Sequence, residues 1–191
     1  FTANADTDGD GGTFSAQGID TTAGAVDEIS ITASALTLSG VVDAGAGNIA
    51  LQTSTNATTI GFGTGSTGTF NLAETELQNL NSSATVSIGR STGTGAVSIS
   101  TANLTLETFN LSITGGTFTS NGDIVLPQGN VTFEAIGAAA DDFTLSHNVT
   151  KNSGPDATLT IRADDDIRLN SGANITSTSN ELAIVLNSDR D

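Results

Sequence analysis

Asp6-Thr-Asp8-Gly-Asp10-Gly11 sets three carboxylates at alternate positions ahead of a glycine. Hard oxygen ligands at that spacing, with a glycine for the sharp turn, suit Ca2+. Asp6, Asp8 and Asp10 are therefore the candidate metal ligands, and Ca2+ is the candidate cofactor. Gln17 stands where a helix-loop-helix calcium loop would carry its bidentate glutamate, and no flanking helices are legible. The expectation is a coil-edge site that a neighbouring coil completes. The same residues also read as a solvated Asp/Gly turn.

A second acidic group is Asp141-Asp142 with Asp164-Asp165-Asp166, near His147, Arg162 and Arg168 in sequence. Carboxylates with basic partners can do general acid–base work on polysaccharides. Against this, Asp142 and Asp166 each open a short word, Asp142-Phe-Thr-Leu and Asp166-Ile-Arg-Leu, that Asn48, Asn103 and Asn130 open elsewhere. The word itself accounts for their acidity. Trp and Tyr are absent, so a sugar-stacking platform would have to come from the 8 Phe, most of them in core phase. His147 reads as a surface turn residue. No catalytic residues and no enzyme are expected; the alternative is a β-helix carbohydrate-active enzyme acting on acidic polysaccharide.

The word is Asn or Asp, apolar, small polar, apolar. It recurs at Asn48-Ile-Ala-Leu, Asn103-Leu-Thr-Leu, Asn110-Leu-Ser-Ile, Asp123-Ile-Val-Leu and Asn130-Val-Thr-Phe. Apolar residues two apart share one side of a strand, and a short polar residue before them suits a turn. Apolar pairs of this kind run from Ile29/Ile31 to Leu182/Ile184, including Leu104/Leu106, Leu111/Ile113 and Val131/Phe133. Their alternating short and long steps predict a coil of about 20 residues. The fold class expected is all-β, a right-handed parallel β-helix or β-solenoid, one segment over residues 1–191. Equal offsets predict two corner columns, Asn103 over Asp123 and Asn110 over Asn130. One stretch breaks the alternation: Asn71 with Glu74 reads as a capping box, predicting a helical insertion of about two turns near residues 72–80.

Composition narrows the partners. Of 191 residues, 36% are hydrophobic and 14% charged, which is thin for a compact globule and adequate for stacked coils. The net charge of −16, with five basic residues, leaves no basic stripe for nucleic acid and disfavours anionic membranes. No apolar run reaches the roughly 20 residues of a membrane span. Cys is absent, which removes thiol and disulfide chemistry. Met is absent too, so Phe1 is not a translation start; the expectation is an internal or processed piece of a longer repeat protein.

The stretches Thr59-Ile-Gly-Phe-Gly-Thr-Gly to Leu80, Val86-Ser-Ile-Gly-Arg-Ser-Thr-Gly-Thr-Gly-Ala-Val97, Phe143-Thr-Leu-Ser-His-Asn-Val-Thr and Asp166-Ile-Arg-Leu-Asn-Ser-Gly-Ala-Asn-Ile-Thr to Asp191 resemble one family. They are similar to the repeat regions of large bacterial surface exoproteins of the filamentous-haemagglutinin type, over roughly residues 55–191. The resemblance implies a right-handed parallel β-helix, secretion across an outer membrane and display as a rod. It carries over no catalytic residue. The function expected is a structural segment of an extracellular bacterial adhesin or matrix fibre. Its expected partners are neighbouring coils, copies of itself end to end, and a cell-surface or glycan receptor.

Overall fold

The computed structural model describes residues 1–24, 27–137 and 141–189; the stretch quoted above that ends in Asp191 has its last two residues, Arg190 and Asp191, outside the described ones. Successive passes of the chain add strands to three stacks of parallel sheet, an all-β arrangement consistent with a β-helix or solenoid. The first stack is a single 8-stranded sheet, from Thr2–Asn4 through Ile29–Ala33, Ile49–Thr53, Thr85–Gly89, Asn110–Gly115, Val131–Ala135 and Ala157–Ala163 to Leu182–Asn187. The second comprises a 2-stranded and a 6-stranded sheet, the third a 3-stranded and a 4-stranded sheet. Strand pairing is parallel throughout the named strands, with one isolated antiparallel bridge between Thr64 and Thr101.

Alternation explains the core. In Val131–Ala135, residues Val131, Phe133 and Ala135 are buried while Thr132 and Glu134 face outward. Inward residues of all three stacks join one apolar cluster. Within it Phe143 stacks on Phe118 at 5.5 Å and on Phe133 at 5.7 Å between ring centroids, geometry that adds attraction beyond area burial. Leu106 departs from its expected phase and is 81% exposed. The strand there is only Ala102–Asn103, and Leu104 is the last inward residue before the chain turns.

The coils are not uniform. In the first stack, corner residues in contact are separated by as few as 20 positions, Asn110 to Asn130, and as many as 37, Thr85 to Asn48. The expected period of about 20 is thus the minimum in that stack, because loops between strands absorb extra residues without disturbing the ladder; in the second stack Ile60 and Phe70 pair only 10 positions apart. Two consequences follow for the corners. Asn110 does sit over Asn130, whose N–H donates to Asn110 Oδ1 at 2.9 Å. Asn103 does not sit over Asp123: Ala102 pairs with Ile124 and Asn103 with Val125. Asp123 instead accepts from the N–H of Asn148 at 2.9 Å.

The helical insertion is a single turn, Glu74–Leu77, shorter than the two turns the spacing predicts. Ala73, not Asn71, is its N-cap, and Glu76, not Glu74, reaches back to the Ala73 N–H at 2.9 Å. The same Glu76 carboxylate accepts from the Leu38 N–H at 2.8 Å, and Asn79 Nδ2 donates to the Leu38 carbonyl at 3.2 Å. Side chains here replace a strand partner for Ala35–Leu38, at the point where the second stack divides. That satisfies buried-edge backbone groups that would otherwise lack partners.

Candidate functional site

The Asp6 loop joins Thr2–Asn4 to Thr13–Ala16 at a corner of the first coil. Asp6 is buried while Asp8 and Asp10 are exposed, and one carboxylate oxygen from each lies within 4.8 Å of the others. Asp6 Oδ1 accepts from the N–H groups of Gly9 at 3.0 Å and Gly11 at 3.3 Å. Its Oδ2 accepts from the Ser34 hydroxyl at 2.6 Å, and Ser34 Oγ lies 2.7 Å from Ser54 Oγ on the next coil. The Ser34 hydroxyl, then Ser54 and the glycine amides, hold the Asp6 carboxyl well below the ordinary carboxylate range, against the opposing effect of burial. Asp6 therefore heads a hydroxyl column, which Arg90 continues by donating to the Ser54 carbonyl at 2.6 Å. The structure brings the three predicted ligands together. A cation would meet Asp8 and Asp10 directly, and Asp6 through lone pairs these donors leave over.

The C-terminal carboxylates form a second trio, Asp142, Asp165 and Asp166, with oxygens also within 4.8 Å. Arg168 clamps two of them, with Nη1 at 2.6 Å from Asp142 Oδ2 and Nη2 at 2.6 Å from Asp166 Oδ2. Asp142 Oδ1 accepts the Asp166 N–H at 3.2 Å, the same corner bond the asparagines make. Burial, and then the charges of Asp166 and Asp142, push the Asp165 carboxyl up, while Arg168 pulls the other way. A raised acid beside two carboxylates that Arg168 clamps is a chemical arrangement for acid–base work. The basic residues nearby in sequence are otherwise engaged. Arg162 pairs with Glu134 at 3.4 Å, and His147 Nδ1 lies 3.2 Å from the Ser120 carbonyl oxygen.

Lys151 escaped the sequence reading. It is fully buried, and its Nζ donates to the carbonyls of Ser153 at 2.9 Å, Gly154 at 3.3 Å and Ser179 at 2.9 Å. The signal was its place two residues after Val149, in inward phase. Lys is not apolar, so the pattern of apolar pairs does not mark it. Its ammonium caps carbonyls of two successive corner loops, which compensates the cost of burying the charge.

Comparison with protein-family models, with curated proteins and with solved structures returns no match.

Proposed function

We propose that the chain is a structural segment of an extracellular bacterial adhesin or matrix fibre, without enzymatic activity. In this reading the three stacks close into a right-handed parallel β-helix, the hand that strand–crossover–parallel-strand connections take in about 98% of cases. The observation that supports it best is the corner ladder. Asp123 Oδ1 accepts from the Asn148 N–H at 2.9 Å, and Asn148 Oδ1 from the Asn174 N–H at 3.2 Å. On the other corner Asn110 serves Asn130 at 2.9 Å, and Asn130 serves Thr158 at 2.8 Å. Each coil presents acceptors that the next coil's backbone fills, a device that favours length over enclosure.

The resemblance to filamentous-haemagglutinin repeats supplies the cell-surface setting. End-to-end partners, whether further coils or copies, would cover the half-exposed Ile184, Val185 and Leu186 of the outermost first-stack strand. Nucleic acid and membrane insertion are not part of the reading; no helix among the described residues is long and apolar enough to cross a membrane. Ca2+ at Asp6, Asp8 and Asp10 would stiffen the first coil and offset part of the −16 charge. Electron microscopy and sedimentation, each with calcium and with chelator, test these points. Rods of constant width are the expected particles, and compact globules would overturn the reading. Calcium-independent length and stability would remove only the metal.

A second reading rests on the raised Asp165 carboxyl beside Asp142 and Asp166, both clamped by Arg168: a β-helix enzyme acting on acidic polysaccharide. Turnover of such a polymer that disappears in Asp165→Asn would establish it in place of the structural one.

A further inference from the structure

We propose that a groove on the outer side of the second stack binds a neutral oligosaccharide, an inference that rests on the adhesin reading proposed above. Register sets Gly61, Ser98 and Thr119 side by side on the outward row of that stack. Because Gly61 has no side chain, residues 63–69 fold back onto this row. A Cβ on Gly61 would stand 2.0 Å from Asn71 Oδ1 and 3.0 Å from Ser66 Oγ. Gly68 rests directly on the strand below, where a Cβ would approach Gly61 N to 2.2 Å. Ser66 Oγ fixes the fold-back, 2.9 Å from the Gly63 carbonyl oxygen and 2.6 Å from Asn71 Oδ1. The segment forms one wall of an open groove of about 570 Å3, floored by the strands that carry Ser98 and Thr119.

Its polar lining is Thr59, Thr67, Thr69, Ser98, Thr119 and Asn121, with no ionisable side chain, in a protein of net charge −16. The volume falls within the range of small-molecule sites. Several of these groups are already oriented. Thr59 Oγ1 accepts the Thr69 N–H at 3.0 Å and donates to Thr69 Oγ1 at 3.4 Å, which leaves the Thr69 hydroxyl proton for a ligand. Ser98 Oγ accepts from Asn121 Nδ2 at 3.0 Å, so the Ser98 proton and Asn121 Oδ1 are left as donor and acceptor. The set is arranged before any ligand arrives, which lowers the ordering cost of binding.

A ligand of hydroxyls, ring oxygens and acetamido groups matches such a lining. An apolar ligand would leave these groups unpaired. A uronate or sulfated sugar would meet the protein's negative field with no cation in the groove to receive it. No aromatic ring lines the groove, so affinity rests on hydrogen bonds, with Kd on the order of 1 mM.

The test is backbone-amide NMR of the full chain, titrated with maltotriose, with the β-1,4-linked N-acetylglucosamine trisaccharide, and with a hyaluronan tetrasaccharide as the uronate control. Saturable shifts at Thr67, Thr69, Ser98, Thr119 and Asn121 are expected with at least one neutral probe and not with the uronate. Thr119→Lys, which fills the groove from an outward position, should weaken binding at least about tenfold. Gly61→Val, which lifts the wall, should do the same. If Gly61→Val fails to fold, Thr119→Lys carries the test alone, with circular dichroism reporting its fold. The proposal is overturned by no saturation at about 50 mM of either neutral probe, by equal response to the uronate, or by undiminished binding in Thr119→Lys. Rods without sugar binding would sink the groove and leave the fibre reading standing; sugar binding by globular particles would do the reverse.

Discussion

Leu159 and Ile184 are neighbours in one column of the first stack, in the same strand phase, yet Leu159 is fully buried and Ile184 is 46% exposed. The next column repeats this, with Ile161 at 0% and Leu186 at 50%. Residue chemistry does not separate these pairs; a following coil does. Strand alternation decides which side chains point inward, and stacking decides whether they leave water. Each coil's share of the core is completed by its neighbour, so stability in this architecture belongs to interfaces between coils.

Placing the same charge on both members of a column is the strongest way to break that contrast. Leu159→Asp should abolish cooperative unfolding, a loss on the order of 5 kcal/mol or more, because a carboxylate would enter the core unpaired. The same outcome is expected of Leu111→Asp and Val131→Asp, which lie in the same column. Ile184→Asp should cost no more than about 1 kcal/mol, its carboxylate remaining hydrated. Thermal unfolding of the variants decides the matter. Equal damage at Leu159 and Ile184 would mean that the outermost strand is covered in solution, and sedimentation would then report assembly.

Lys151 sharpens the contrast from the polar side. It pairs in register with Ser177 of the following coil, and its ammonium joins the loop at Ser153 and Gly154 to Ser179. Lys151→Met keeps the bulk and removes the charged donors: the Ser153 carbonyl must find water, while Gly154 keeps Asn180 Nδ2 at 2.6 Å and Ser179 keeps Ser177 Oγ at 3.0 Å. A cost of about 2–4 kcal/mol is expected, with new proteolytic cleavage around Gly154. A variant as stable and as resistant as the parent would show that the loops hold without it.

The corner residues supply a smaller, matched pair. Asn130 Oδ1 accepts from Thr158 of the next coil at 2.8 Å, whereas no described residue donates to the Oδ1 of Asn174. Asn130→Ala should therefore cost about 1 kcal/mol; Asn174→Ala orphans no backbone N–H and gives up only exposed Nδ2 bonds to Asn148 Oδ1 at 3.3 Å and the Gly172 carbonyl at 3.0 Å, so it should cost less. Denaturant midpoints would reveal it, and indistinguishable midpoints would take the ladder out of the energetics.

What could be read from residues alone follows the same division. Inward phase was legible, because Val131 and Phe133 or Leu111 and Ile113 announce it locally. Register between coils was legible only where the loops happen to be short. Asn110 and Asn130 are 20 apart and meet. Asn103 and Asp123 share that spacing and miss, since Leu104 ends the inward run and Val125 takes the place opposite Asn103. The convergence of Asp6, Asp8 and Asp10 was local and was anticipated, while the Ser34 and Ser54 hydroxyls beside Asp6 come from later coils. Nor could sequence place Arg168 between Asp142 and Asp166, or the turn at residues 63–69 over Gly61, because each depends on which strands stack.

The smallest predicted effects set the two acidic trios against each other. Proximity of carboxylates is common to both, but Asp6 sits among donors and Asp165 among charges of its own sign. For Asp6, whose folded pKa is depressed, the contribution to stability is present above the unfolded value and is lost as pH falls through the folded one. For Asp165 the folded pKa is raised, so the folded state binds its proton more tightly. The penalty then stands at pH above the folded pKa and is relieved as pH falls. Asp6→Asn should lower the melting temperature at neutral pH. Asp165→Asn should raise it slightly, with the gain shrinking toward acid. Both shifts are muted by solvent screening near the surface. Melting temperatures of the two variants and the parent at pH 7 and pH 4 give the comparison directly. Shifts of the same sign at neutral pH would mean that donors, not the crowding of carboxylates, govern both sites.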